Sequence, residues 1–357
     1  MSSADSGWRM PAEWEPHQAT WISWPHNLSE FPDKFEPIPW AFGEIVRALA
    51  QAEKVRICVS SPGHERKARR ILSRIGVTGA ELFRIPTNRV WARDFGPIFV
   101  RNVARPGLAV AGFRFNAWAI YKRYGRDAQV ARKISAAVGA EYMPVLWNQR
   151  HVVLEGGSID VNGRGSILTT EECLLDQEVQ VRNPGLEKND IQAILGSALG
   201  APNVLWLGRG LAGDDTHGHV DDLCRFVNPD TVVLCREKDP GDVNYAALEE
   251  NRERLEGLRL ENGSRLQVAF LPMPRPLFMD GQRLPASYAN FYISNTIVIV
   301  PTFNDPSDRT ALGILEELFP GRTVVGIHCV DLVWGLGALH CLTQQQPAVE
   351  VNGAARA

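Results

Sequence analysis

The residues best suited to chemistry fall in four polar motifs: Cys341 in "GALHCLTQQQP", His219 in "DDTHGHVDDL", Asp94 in "RVWARDFGPIF" and Glu155 in "VVLEGGSIDVNG". A thiol, an imidazole and carboxylates supply a nucleophile, a proton carrier and counter-charges for a cation. The segment from Asp214 to Leu223 packs His217, His219 and four acids into ten positions. On an extended strand His217 and His219 would point the same way, which suits a metal ion. The HExxH spacing and CxxC pairs are both missing from the sequence, so no metal is expected and a metal site stays the rival. His219 and Asp221, two residues apart, would also share a strand face, setting a general base beside a carboxylate able to hold a cationic substrate.

Arg93 and Asp94 follow Trp91 and precede a Gly-Pro turn, where a buried Arg-Asp pair is one reading and a substrate-facing acid the other. Glu155 ends an apolar run, and Gly156-Gly157 lets the backbone turn or approach closely where the carboxylate emerges. An acid at that place costs desolvation energy unless a cation or imidazolium answers it. Cys341 follows the Gly-rich "WGLGALH", and the polar tail Thr343, Gln344, Gln345 and Gln346 argues against a buried core strand. Cys329, in "GIHCVDL", is the competing thiol.

These motifs need elements to hold them. The 357 residues are 45% hydrophobic and 22% charged with a net charge of -3, an ordinary globular composition with no basic surface for nucleic acid and no polybasic membrane anchor. The N-terminus lacks a secretory pattern and no run of eighteen apolar residues occurs, so a cytoplasmic protein is expected, with six scattered cysteines left reduced. Strand-like runs at 54–60, 97–102, 165–170, 203–207, 231–235, 266–271, 295–301 and 322–327 alternate with helical spacing at 41–53, 64–76, 127–139, 187–200 and 308–320. The fold class is mixed α/β, and no linker divides the chain.

Asp94, Glu155, His219 and Cys341 are 61, 64 and 122 residues apart, and the polar loop "MDGQRLPASYANFY" (279–292) falls in the middle of the longest interval. A supersecondary unit repeated around an axis, each copy giving one loop to a central site, would space them so; chance spacing of four points is the alternative.

Together with "MPAEWEPHQATWISWPHN" (10–27), "FNAW" (115–118), "LTTEECLL" (168–175), "ASYANFYISN" (286–295) and "VPTFND" (300–305), the motifs resemble those of agmatine deiminases and related bacterial peptidylarginine-deiminase-type proteins of the guanidine-modifying pentein superfamily, nearly end to end. The resemblance implies a five-bladed α/β propeller of ββαβ units, one catalytic domain over 1–357, with a tail expected to be disordered after about 348. It implies that Cys341 is the nucleophile, His219 the general acid/base, Asp94 and Asp221 the carboxylates gripping a guanidinium, and Glu155 the acid supporting the histidine. Trp91, Trp118 and Asn116 are expected to contact substrate. No cofactor is implied; the partners are a small cationic guanidino substrate and, in a homo-oligomer, a second copy. Two segments depart from the family pattern: Gly335-Leu336-Gly337-Ala338-Leu339 stands where Gly-Gly-Gly-Asn-Ile is usual, and "AIYKRYGRD" (119–127) follows "FNAW". Agmatine is the first expectation, and another guanidino compound or a terminal arginine the alternative.

Overall fold

A computed structural model describes residues 7–104 and 106–349. Of seven sheets among the described residues, five carry the chain and share one wiring, and the other two are two-stranded hairpins. In the first, strands Ile98–Asn102 and Leu108–Gly112 pair antiparallel, and helix Val130–Val138 leads to a parallel partner, Glu141–Pro144. The second repeats this with Asp160–Val161, Ser166–Thr170, helix Lys188–Leu199 and Asn203–Leu207. The third uses Cys224–Asn228, Thr231–Arg236, helix Tyr245–Gly257 and Gln267–Pro272. The fourth uses Tyr292–Ile293, Ile297–Thr302, helix Ser307–Leu318 and Thr323–His328. In the fifth, strand Thr343–Pro347, late in the chain, pairs antiparallel with the early strand His17–Ser23. Val55–Cys58 and Glu81–Phe83 extend it in parallel, behind helices Ile38–Leu49 and Pro62–Arg74.

The buried strands are Val/Ile/Leu-rich, as sheets covered by helices require, and the helices bury one apolar stripe each. Helix Ile38–Leu49, for example, buries Phe42, Ile45, Val46 and Leu49 and keeps Glu44 and Arg47 in solvent. All eight strand-like runs and all five helical stretches read from the sequence coincide with elements of their type, with ends shifted by a few residues. The tail expected to be disordered after about 348 lies, from 350 on, outside the described residues.

Three local expectations are corrected. Thr343 to Gln346 form a buried strand, because most polar groups there are answered: Gln344 donates to Pro97 O, Gln345 accepts from Arg93, and Gln346 accepts from Trp21 and Arg56, while Gln344 Oε1 is buried with no partner among the described residues. Arg93 pairs with Glu13 at 2.9 Å and not with its neighbour Asp94. The stretch around His219 is a turn, not a strand: Asp214 Oδ2 accepts from the amides of Gly218 and His219, His217 takes φ 65°, and a 3-10 turn follows over Val220–Asp222.

Candidate active site

Each chemistry-bearing motif ends in the same way, as a short turn running into the first strand of a sheet. Asp94 lies in the helical turn Ala92–Phe95 before Ile98–Asn102. Glu155 caps the turn Gly156–Ser158 before Asp160–Val161, and His219 caps Val220–Asp222 before Cys224–Asn228. Asn290 ends the loop before Tyr292–Ile293, and Cys341 lies in the turn Leu339–Leu342 before Thr343–Pro347. Five sheets thus deliver five loops.

The sequence explains how closely these loops meet. A Cβ on Gly156 would stand 2.2 Å from Arg93 O, and one on Gly157 would stand 2.6 Å from His219 Nδ1 and 2.7 Å from Asp94 Oδ1. No side chain fits there, and the Gly157 amide donates to Asp94 Oδ1 at 3.0 Å. Gly337 likewise lies against the Trp91 ring, where a Cβ would come within 2.6 Å, and between it and Gly335 the backbone of Leu336 is left-handed at φ 69°.

The His219 ring lies between carboxylates. Nδ1 is 3.7 Å from Asp94 Oδ1 and 4.0 Å from Asp221 Oδ1, and Nε2 is 3.9 Å from Glu155 Oε2. These separations exceed hydrogen-bond length, and both ring nitrogens, Glu155 Oε2 and Asp221 Oδ1 are buried with no hydrogen-bond partner among the described residues. Asp221 Oδ2 is 2.6 Å from His340 Nδ1 and 3.7 Å from Cys341 Sγ. Asn290 Nδ2 donates to Cys341 Sγ at 3.1 Å, while its Oδ1 accepts from the His340 amide at 2.9 Å. Asp94 Oδ2 accepts from Trp118 Nε1 at 3.2 Å.

Burial and charge set the protonation states. Burial opposes charge on His219, but Asp94, Cys173 and Glu155 hold the imidazolium well above its usual range. Burial also opposes ionisation of Glu155, yet Arg182, 3.3 Å away, and His219 bring it to about 2. Asp94 goes the other way, pushed to about 7 by burial and by Asp221 and Glu155, against the pull of His219. Burial, then Asp221, Asp222 and Asp94, raise the Cys341 thiol well above its ordinary value. A site of this kind, with its carboxylates beside a thiol, is suited to a cation, which would offset the carboxylates and favour the thiolate.

Cys341 is 6% exposed, and it and Asp94 line one cavity of about 360 Å³ whose walls include Trp91, Trp118, Tyr121 and Trp334. His219, Glu155 and Asp221 lie behind this lining, fully buried. The five residues singled out for catalysis therefore form one cluster. Trp91 and Trp118 line the cavity as substrate walls would, whereas Asn116 is absent from the lining and caps the next turn by accepting from Ala119 N at 3.0 Å. Cys329 is buried at the end of the fourth sheet, outside that lining.

Sequence reasoning passed over Asn290, His340, Glu13, Arg182 and Cys173. Asn290 carried a signal, since its loop bisects the long interval; Glu13 and Cys173 lay in quoted motifs without distinction, and Arg182 in none. As for metal ligands, donor atoms of Glu155, Cys173 and His219 lie within 4.8 Å of one another, as do those of Asp221, Asp222 and Cys341. His217 joins neither set and pairs with Asp176 at 3.2 Å.

Residues 9–347 match the family model of the Porphyromonas-type peptidyl-arginine deiminases. The agmatine deiminase of Ectopseudomonas mendocina is 38% identical, with 96% of each chain covered. Among solved structures, the agmatine deiminase of Enterococcus faecalis superposes with a TM-score of 0.88 at 32% identity, over 97% of both chains. A cysteine-to-serine form of the C. jejuni agmatine deiminase, with substrate bound, gives 0.82 at 28% identity over 96% of this chain and 97% of that one.

Proposed function

The chain belongs to the Porphyromonas-type peptidyl-arginine deiminase family, alongside the agmatine deiminases, as a hydrolase acting on amidines, and from that membership we propose that it deiminates a small guanidino compound through a covalent bond to Cys341. Agmatine, for which its relatives are named, is the first compound to assay; its products would be N-carbamoylputrescine and ammonia. The five sheets serve as blades of an α/β propeller whose loops meet at the active site. The observation that carries the reading is a single one: Asp94, Glu155, His219, Asp221 and Cys341, each on the turn before a first strand, converge at the end of a tryptophan-walled cavity.

The chemistry runs in two halves. A guanidinium is planar and resonance-stabilised, so its carbon is a poor electrophile until it is held and polarised. Asp94 and Asp221 hold its N–H groups by charge-assisted bonds, which also compensates their own mutual repulsion. The Cys341 thiolate, kept in place by Asn290, adds to the carbon. Imidazolium His219 protonates one terminal nitrogen; the C–N bond breaks, ammonia leaves, and a thiouronium remains on sulfur. His219, now neutral, takes a proton from water as that water adds to the same carbon. The C–S bond then breaks, the departing sulfur of Cys341 taking back the electron pair and the remaining hydroxyl proton, and the neutral ureido product is released. Glu155, itself kept ionised by Arg182, orients the His219 ring and stabilises its imidazolium form.

The test is a panel of agmatine, arginine, methylated arginines and guanidino acids, with ammonia and ureido product both measured. Turnover that survives exhaustive chelation and vanishes in Cys341→Ala supports the reading. Failure of every compound, or loss of activity on chelation, overturns it.

A further inference from the structure

We infer that the outer end of the active-site cavity is a carboxylate site read by Arg89, so that the guanidino substrate carries a carboxylate at its far end. The inference rests on the deimination reading and names the substrate class for the same site.

The cavity has two ends separated by one indole. Asp94 and Cys341 line the inner end, and Trp118, bonded to Asp94 through Nε1, stands between it and the outer wall. Beyond that indole come Arg89, Tyr121, Glu30 and Asp215. The Arg89 guanidinium lies over the Tyr121 ring with its carbon 3.9 Å from the centroid, and 5.6 Å from that of Trp118. Stacking fixes the plane of the fork and leaves its edge free. Among the described residues the Arg89 side chain makes neither a hydrogen bond nor an ion pair, and its Nε is buried without a partner. A buried Nε–H without an acceptor is costly, and a carboxylate would answer it together with one terminal N–H of the same fork.

The nearby acids do not already fill this role. Asp127 Oδ1 is turned to the amides of Asn88 and Arg89 at 2.6 and 3.3 Å. Glu30 Oε1 accepts from Val90 N at 3.2 Å, and burial pushes this acid to about 8, against the pull of Arg89, leaving it mostly neutral near pH 7. Asp215 Oδ2 accepts from Tyr121 OH at 2.5 Å, and burial raises it only to about 6, so it is the ionised acid of the outer end. Two sources of the carboxylate fit: a simple ω-guanidino acid, or arginine, whose α-ammonium would meet Asp215. Agmatine would offer Asp215 an ammonium but would give the Arg89 fork no acceptor.

The experiment measures kcat/KM of the full-length protein for γ-guanidinobutyrate, arginine and agmatine, in the wild type, Arg89→Gln and Arg89→Lys, with the melting temperature of each. The wild type is expected to favour at least one carboxylate-bearing compound over agmatine. Arg89→Gln is expected to lower that preference about tenfold or more, the loss of one charge-assisted pair, and Arg89→Lys, which keeps the charge without the fork, to lower it less. Arginine ahead of γ-guanidinobutyrate assigns the carboxylate to an amino acid; the reverse order assigns it to a guanidino acid. Wild-type preference for agmatine, or a smaller change in Arg89→Gln, overturns the inference and leaves deimination standing. Turnover of none of the three overturns both. If Arg89→Gln does not fold, Arg89→Lys must still lower the preference.

Discussion

Asp94 is the residue whose ionisation links binding to pH. Burial raises it from 3.8 to about 7, so the free protein holds it protonated in acid, and a guanidinium binds the ionised form. On Cys341→Ala protein, which binds without turnover, the dissociation constant for substrate should fall as pH rises, by up to about tenfold per unit below pH 7, and level above it. An affinity that is flat through neutrality would contradict this. The same shift has a folding consequence of fixed sign: a raised acid favours the folded state at low pH, and that contribution is lost between 3.8 and about 7, where bound cation replaces it. Of these residues, Asp94, Glu155 and Cys341 were singled out as polar side chains beside apolar runs and Gly-rich turns, and His219 from a dense cluster of histidines and acids that was read as a strand. One argument for Cys341 failed, since the glutamines after it are buried. Sequence shows polarity but not the partners, here Arg93, Arg56, Trp21 and Pro97 O, that make polarity tolerable inside.

At the scale of elements, the site is a set of turns, each fixed by the strand that follows it. Gly157 shows how little slack they have, with His219 and Asp94 closing on the space a methyl would need. Gly157→Ala should therefore lower kcat by about a hundredfold, because a displacement near 1 Å at the reacting groups costs that much, while the protein still folds. Unchanged kcat would show that the turns are looser than their packing implies. Helices with an apolar stripe were legible, as in Ile38–Leu49. Helix Tyr245–Gly257 was not, because it buries only Ala247, Leu248, Asn251 and Leu255 and otherwise presents an ion-pair ladder of Glu249, Arg252 and Glu256 with Glu250 and Arg254.

Over the whole molecule, the intervals between Asp94, Glu155, His219 and Cys341 corresponded to sheets, and the doubled last interval to the sheet that contributes Asn290. What spacing could not show is the tie between them. Glu13 accepts from Arg93 and lies 2.8 Å from His340 through Oε2, and accepts from Arg225 and the Ile293 amide through Oε1. Arg225 in turn holds Asp160. One buried carboxylate thus links groups from all five sheets, and Arg225, His340 and Arg93 overcome burial to keep it ionised well below its ordinary value. Glu13→Gln leaves buried Arg93 without its carboxylate and takes one of two from Arg225 and from His340, and should cost about 3–5 kcal/mol in urea unfolding, with far less lost if the hub is dispensable. The convergence of these loops has one purpose in this account, which is to let Cys341 attack a guanidinium carbon. The most direct measurement is mass spectrometry of the Cys341 peptide after acid quench during turnover of the best substrate in the panel. The account predicts an adduct of substrate less ammonia on Cys341, lost on longer incubation; rapid turnover with no adduct, or an adduct on Cys329, would contradict it.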